Sequence, residues 1–204
     1  VNDLKQTIAL NPNNDHARFT LAALYGYLGR YDNAIVSYTE AIKPIGVYDT
    51  AALLYRPQSY IAIGDYERAL QDLDEFLVFR AADRDYFVTV AYLLRGAVRL
   101  YQGEYMLASQ DYQDAFLIQN EFASAYAYYG SGYRITPLRE QSIIELQGQA
   151  AAQPDNADLQ LQLGHLYMEY GQWQAGLQQY RAYLEIVPDA ALESFISSLE
   201  MLMI

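Results

Sequence analysis

The side chains that could do chemistry in this chain are few and poorly spaced for it. Its two histidines, His16 and His165, lie far apart in sequence, and there is no cysteine. A zinc-type site needs three or four His, Cys or carboxylate ligands held together, so no metal and no cofactor is expected. A nucleophile needs a base within reach and a third group to orient that base, and no Ser/His/Asp spacing offers the set. Gly130-Ser131-Gly132 falls inside a helical pattern, not between a strand and a helix where a phosphate-cradling loop belongs. No catalysis is expected from these residues.

Four charged residues do carry a pattern. Arg56 and Arg95 stand where apolar periodicity calls for a buried side chain, and Asp72 and Asp111 each follow sixteen residues later. A charge at a buried position needs a partner. Where the arginine slot is apolar, as at Leu21 and Leu163, the later slot holds Ser37 or Gln179 instead, save that Glu145 follows Tyr129 in the fourth unit. Two antiparallel helices joined midway would bring the slots level, so the pairs Arg56–Asp72 and Arg95–Asp111 are expected.

The elements that would position them follow from a repeated phrase: Gly, a polar residue, an aromatic, two variable residues, then a small one. It occurs at Gly29-Arg30-Tyr31 with Ala34, Gly64-Asp65-Tyr66 with Ala69, Gly103-Glu104-Tyr105 with Ala108, and Gly171-Gln172-Trp173 with Gly176. The intervals centre on 34 residues or its double, the period of a solenoid built from helix pairs. Leu159, Leu163, Leu166 and Tyr167 recur at helical spacing before Gly171, and Leu177, Tyr180 and Leu184 after it. The glycine fits the residue after a helix, where a left-handed backbone is needed. In this frame the repeats run 15–49, 50–88, 89–122, 123–156 and 157–190, with Pro137 in place of the fourth glycine. Pro12, Pro154 and Pro188 each close a unit.

These residues resemble the tetratricopeptide repeat family. Leu163-Gly164, Tyr167, Tyr180 and Pro188 match its signature in the fifth unit. Leu21-Ala22, Tyr25, Ala34, Tyr38 and Ala41 match it in the first, and Tyr92, Gly96, Ala108, Tyr112 and Ala115 in the third. The resemblance spans nearly the whole chain. It implies an all-α, right-handed superhelical solenoid of antiparallel helix pairs forming one domain. Residues 1–14 are expected to be the second helix of a truncated repeat, which would make the chain a fragment of a longer one. Residues 191–204 are expected to form a capping helix, with Leu192, Phe195, Ile196, Leu199 and Leu202 on one face. The insertion near Ala81 to Asp85 either lengthens a helix or opens a loop. Pro57 either bends the first helix of repeat two or restarts it.

In that family the first helices line a concave face and grip a protein or peptide partner. The resemblance implies contact through Phe19, Tyr27, Leu54, Leu93, Leu100 and Tyr101, with Arg134 and His165 as polar accessories. The lysine and asparagine with which relatives clamp a terminal carboxylate are absent: Phe19 and Ala23, Leu54 and Gln58, Leu93 and Ala97 stand there. The expected guest is an apolar or amphipathic segment. Alternatives are a self-assembling module that forms a homo-oligomer through the C-terminal helix, and a regulatory domain of a larger enzyme or secretion machine. A net charge of -12 argues against nucleic acid, and no apolar run reaches the ~18 residues of a membrane span.

Overall fold

Helix pairing in this protein is set at the turns. Gly29, Gly64, Gly103 and Gly171 have φ of 69°, 77°, 74° and 67°, and among the described residues no others adopt positive φ. Each closes a helix with two bonds. Gly29 N–H donates to Gly26 O at 3.0 Å and Arg30 N–H reaches back to Tyr25 O at 2.9 Å. The same pair of bonds recurs at Gly64/Asp65, Gly103/Glu104 and Gly171/Gln172. This Schellman arrangement satisfies the last carbonyls of one helix and reverses the chain into the next.

The computed structural model describes residues 1–42, 47–121, 137–169 and 171–202. The regular elements among the described residues are all helices, without a strand: α1 Asn2–Leu10, α2 Asp15–Tyr27, α3 Tyr31–Ala41, α4 Val47–Ala62, α5 Tyr66–Phe79, α6 Tyr86–Tyr101, α7 Tyr105–Glu121, α8 Pro137–Ala152, α9 Ala157–Glu169, α10 Trp173–Ile186 and α11 Ala190–Glu200. Several starts are fixed by a side-chain cap. Asn14 accepts from Ala17 N–H at 2.9 Å, and Asp85 and Asp189 each accept from two backbone N–H groups. The helix α4 runs unbroken through Pro57, so no restart occurs there. The insertion opens the loop between α5 and α6, and neither helix extends across it.

The chain divides into two compact units, Val1–Asp83 and Arg84–Ile204. In the first, α2 pairs with α3 and α4 with α5; α3 and α2 both lie on α4, and α1 covers α2. Leu21, Ala22, Tyr25, Ala34, Tyr38 and Ala52 form one core, and Leu4 and Ile8 of α1 pack against it. In the second unit α6 pairs with α7 and α9 with α10. There α6 also packs directly on α9, α7 packs on α11, and α8 lies on α9. A core of Leu93, Leu100, Ala108, Tyr112, Met168, Leu177, Tyr180, Leu192 and Phe195 joins both pairs to α11. The C-terminal helix buries Leu192, Phe195, Ile196 and Leu199 as a cap would.

Both expected charge pairs form. Arg56 Nε and Nη2 donate to the two carboxylate oxygens of Asp72 at 2.8 and 2.6 Å. Arg95 Nη2 donates to Asp111 Oδ1 at 2.6 Å, and Arg99 Nη1 adds a bond to Oδ2 at 2.6 Å. Arg99 occupies the slot where Tyr25, Tyr60 and Tyr167 stand in other repeats. That substitution was the signal for a second arginine on one carboxylate. Burial pushes both aspartate carboxyls up from their ordinary value, and the guanidinium bonds pull against it. Desolvation offsets much of the attraction, so the pairs fix helix register more than they add net stability.

Removing one member is a different matter. The Asp111 side chain is fully buried, and Asp111→Ala leaves two arginines without their shared partner. The expected loss is about 3 kcal/mol, larger than for Asp72→Ala, read from urea unfolding midpoints. Equal, small losses in both variants would contradict this assignment.

Candidate functional site

The first-helix faces named from the sequence have different fates in the two units. In Val1–Asp83 the face of α2 is partly open. Tyr27 is 51% exposed, Ala23 one turn before it is exposed, and Phe19 is half-buried. The Phe19 ring meets Tyr38 edge-on at 5.5 Å and Tyr55 at 5.7 Å. These contacts hold it in one orientation and are of the kind that favours aromatic pairs beyond area alone. Burial pushes the Tyr38 and Tyr55 hydroxyls up, so both remain protonated donors at neutral pH. Leu54, on the neighbouring α4, is only 1% exposed and belongs to the interior.

In Arg84–Ile204 the corresponding faces lie on each other. Leu93 and Leu100 of α6 are 8% and 1% exposed, and share a core with Met168 of α9. At the end of both helices the Tyr101 hydroxyl donates to Glu169 Oε2 at 3.0 Å. The Tyr101 ring meets His165 edge-on at 5.1 Å, and His165 meets Tyr180 at 5.6 Å. Tyr180 lies over Gly164: a Cβ built there would come 2.4 Å from its ring. The opposite flank of α9 is covered by α8, where Ile143 and Ala150 pack with Leu163, Leu166 and Tyr167. Phe19 and Tyr27 line a partly open face, Leu54, Leu93, Leu100 and His165 are interior, and Tyr101 joins α6 to α9. Arg134 lies outside the described residues.

Sequence reasoning places Glu169 among the first-helix positions of repeat five but gives it no partner. It occupies a slot that is apolar or small in units two and four and tyrosine in one and three, yet it is 1% exposed. A lone carboxylate in a slot otherwise uncharged was the available signal. Among the described residues no cluster of His, Cys, Asp or Glu could hold a metal ion, and no helix is long and apolar enough to cross a membrane.

The His165 imidazole is pushed down from 6.5 to about 4 by burial, and its Nε2 has no hydrogen-bond partner among the described residues. A depressed value means that the unfolded chain takes up the proton first. The stability tied to neutral His165 is fully present above pH 6.5 and is lost as pH falls toward 4, by about 3 kcal/mol. Urea midpoints of wild type and His165→Gln at pH 7.5 and pH 4 check this. The wild type should lose the larger increment, and equal losses would refute it.

No protein-family model matches the chain, and no curated protein matches it by sequence. Among solved structures it is similar to a tetratricopeptide repeat (TPR) protein from Parabacteroides merdae, with TM-score 0.50 and 19% identity over 98% of this chain and 77% of that one. It is also similar to YrrB, a TPR protein with an unusual peptide-binding site (TM-score 0.46, 17% identity, 98% of both chains). A third likeness is to MamA (TM-score 0.45, 20% identity, 84% of this chain and 91% of that one). The first of these likenesses, together with the four glycine-closed helix pairs, shows that the chain has the tetratricopeptide repeat fold.

Proposed function

We propose that this chain is a non-catalytic protein-interaction scaffold that takes an apolar or amphipathic segment of a partner on the α2 face of its N-terminal unit. The observation that carries this reading is Tyr27, half-exposed at the end of α2, with exposed Ala23 leading back to Phe19. A tyrosine is a strong anchor for a peptide because it offers a large apolar area with few rotors and one polar end. Phe19, held by Tyr38 and Tyr55, gives that anchor a prearranged floor, which lowers the ordering cost of binding. Phe19, Ala23 and Tyr27 carry no charge and the carboxylate-clamping pair is absent, so the face suits a greasy segment and not a charged terminus. The net charge of -12 favours partners whose remaining surface is basic.

Self-association through the C-terminal helix is the rival reading. Leu192, Phe195, Ile196 and Leu199 of α11 are buried within the unit, and the apolar surface left for such contact is at its end, where Met201 is 71% exposed.

A photo-crosslinking residue placed at Tyr27 tests the proposal against the same residue at Val36, an apolar position on α3 that is 56% exposed. The Tyr27 position should capture a defined partner polypeptide, and Phe19→Asp should abolish that capture while helix content is retained. Equal capture from Val36, or capture indifferent to Phe19→Asp, would overturn it.

A further inference from the structure

Repeat five packs against repeat three although repeat four stands between them in the sequence. The residues where α6 meets α9 give a reason. In the last first-helix slot the five units carry Tyr27, Ala62, Tyr101, Ile135 and Glu169. Only repeat five places a side-chain carboxylate there, and Glu169 accepts the Tyr101 hydroxyl at 3.0 Å. Four residues earlier the series reads Ala23, Gln58, Ala97, Ser131 and His165. Only repeat five supplies a ring there, the one Tyr101 meets edge-on at 5.1 Å. One residue before the last slot it reads Gly26, Ile61, Leu100, Arg134 and Met168. Leu100 and Met168 share a core, whereas the same slot in repeat four would bring a guanidinium.

Apolar contact alone does not choose between repeats, because it is proportional to area and has no direction. A buried polar bond does choose. Glu169 is 1% exposed, and a pairing that left its carboxylate without the Tyr101 donor would bury acceptor capacity at a cost. Single buried polar groups fix register in this way in paired helices. We propose that the Tyr101–Glu169 hydrogen bond, braced by the His165 ring, is a register key that makes repeat three accept repeat five as its neighbour. It is a conformational selector within the C-terminal unit and does not rest on the binding role assigned to α2.

The test uses the absence of native cysteine. Gln102→Cys and Gln172→Cys, both exposed and just beyond Tyr101 and Glu169, carry spin labels in the full chain, and their distance distribution is read by pulsed electron resonance. The parent should show one narrow distribution. Tyr101→Phe and Glu169→Leu, which remove donor and acceptor in turn, should each add a second, longer population. Glu169→Gln, which keeps an acceptor oxygen, should stay narrow. Circular dichroism identifies any variant that fails to fold, and either side of the bond serves alone. Narrow distributions in all variants would overturn the proposal, as would broadening in Glu169→Gln equal to that in Glu169→Leu.

Discussion

Each of the four glycine-closed helix pairs depends on a left-handed backbone turn at one residue. A side chain at positive φ pushes its Cβ against the neighbouring carbonyl, and glycine has none to push. Once Gly29, Gly64, Gly103 and Gly171 take that conformation, the paired bonds to the preceding helix set where the next one begins. The register between the two helices is then fixed. That register puts Arg56 beside Asp72 and Arg95 beside Asp111. It also lays Tyr112 over Gly96 and Tyr180 over Gly164, where a Cβ would have come within 3.1 and 2.4 Å of the rings. The charge pairs and the ring-on-glycine contacts are consequences of the turn, and each makes the wrong register more costly.

Between pairs the physics is less local. In the first unit neighbouring pairs stack in chain order, α2 and α3 against α4, and leave part of the α2 face open. In the second unit, inner faces that could have formed a groove close on one another, and a hydroxyl–carboxylate bond sits at the seam. The same repeat thus supplies an accessible aromatic face in one unit and a sealed core in the other. Ala23 and Tyr27 are matched in type by Ala97 and Tyr101, so the difference lies in what meets the latter pair: His165 and Glu169 lie against Tyr101.

The local structure was legible in the sequence because its causes are local. Glycine at the turn, helical spacing on either side and the coupled Arg/Asp slots act over fewer than twenty residues, and among the described residues the four turns and both charge pairs are present. Pairing between repeats was not legible. Periodicity assigns Leu93 and Leu100 to an inner face, but it is silent on whether that face meets solvent, a partner or a distant part of the same chain. For the same reason Leu54 reads as a contact residue and proves to be core, whereas Tyr27 reads alike and is half-exposed. Arg99 and Glu169 were visible as departures from the repeat pattern. Their meaning depended on which helix lay opposite, and that is set by tertiary packing.

The most direct measurement concerns the turn itself. Gly103 is exposed, has φ of 74°, and a Cβ added there would meet nothing within 4 Å, so a substitution reports backbone chirality and not crowding. Semisynthetic protein with L-alanine at position 103 should lose about 1 kcal/mol in urea unfolding, because positive φ is disfavoured for an L residue. D-alanine, for which that conformation is natural, should be neutral or gain a few tenths of a kcal/mol through a stiffer unfolded chain. Equal losses for the two enantiomers would show that the left-handed turn does not set the register of the helix pairs.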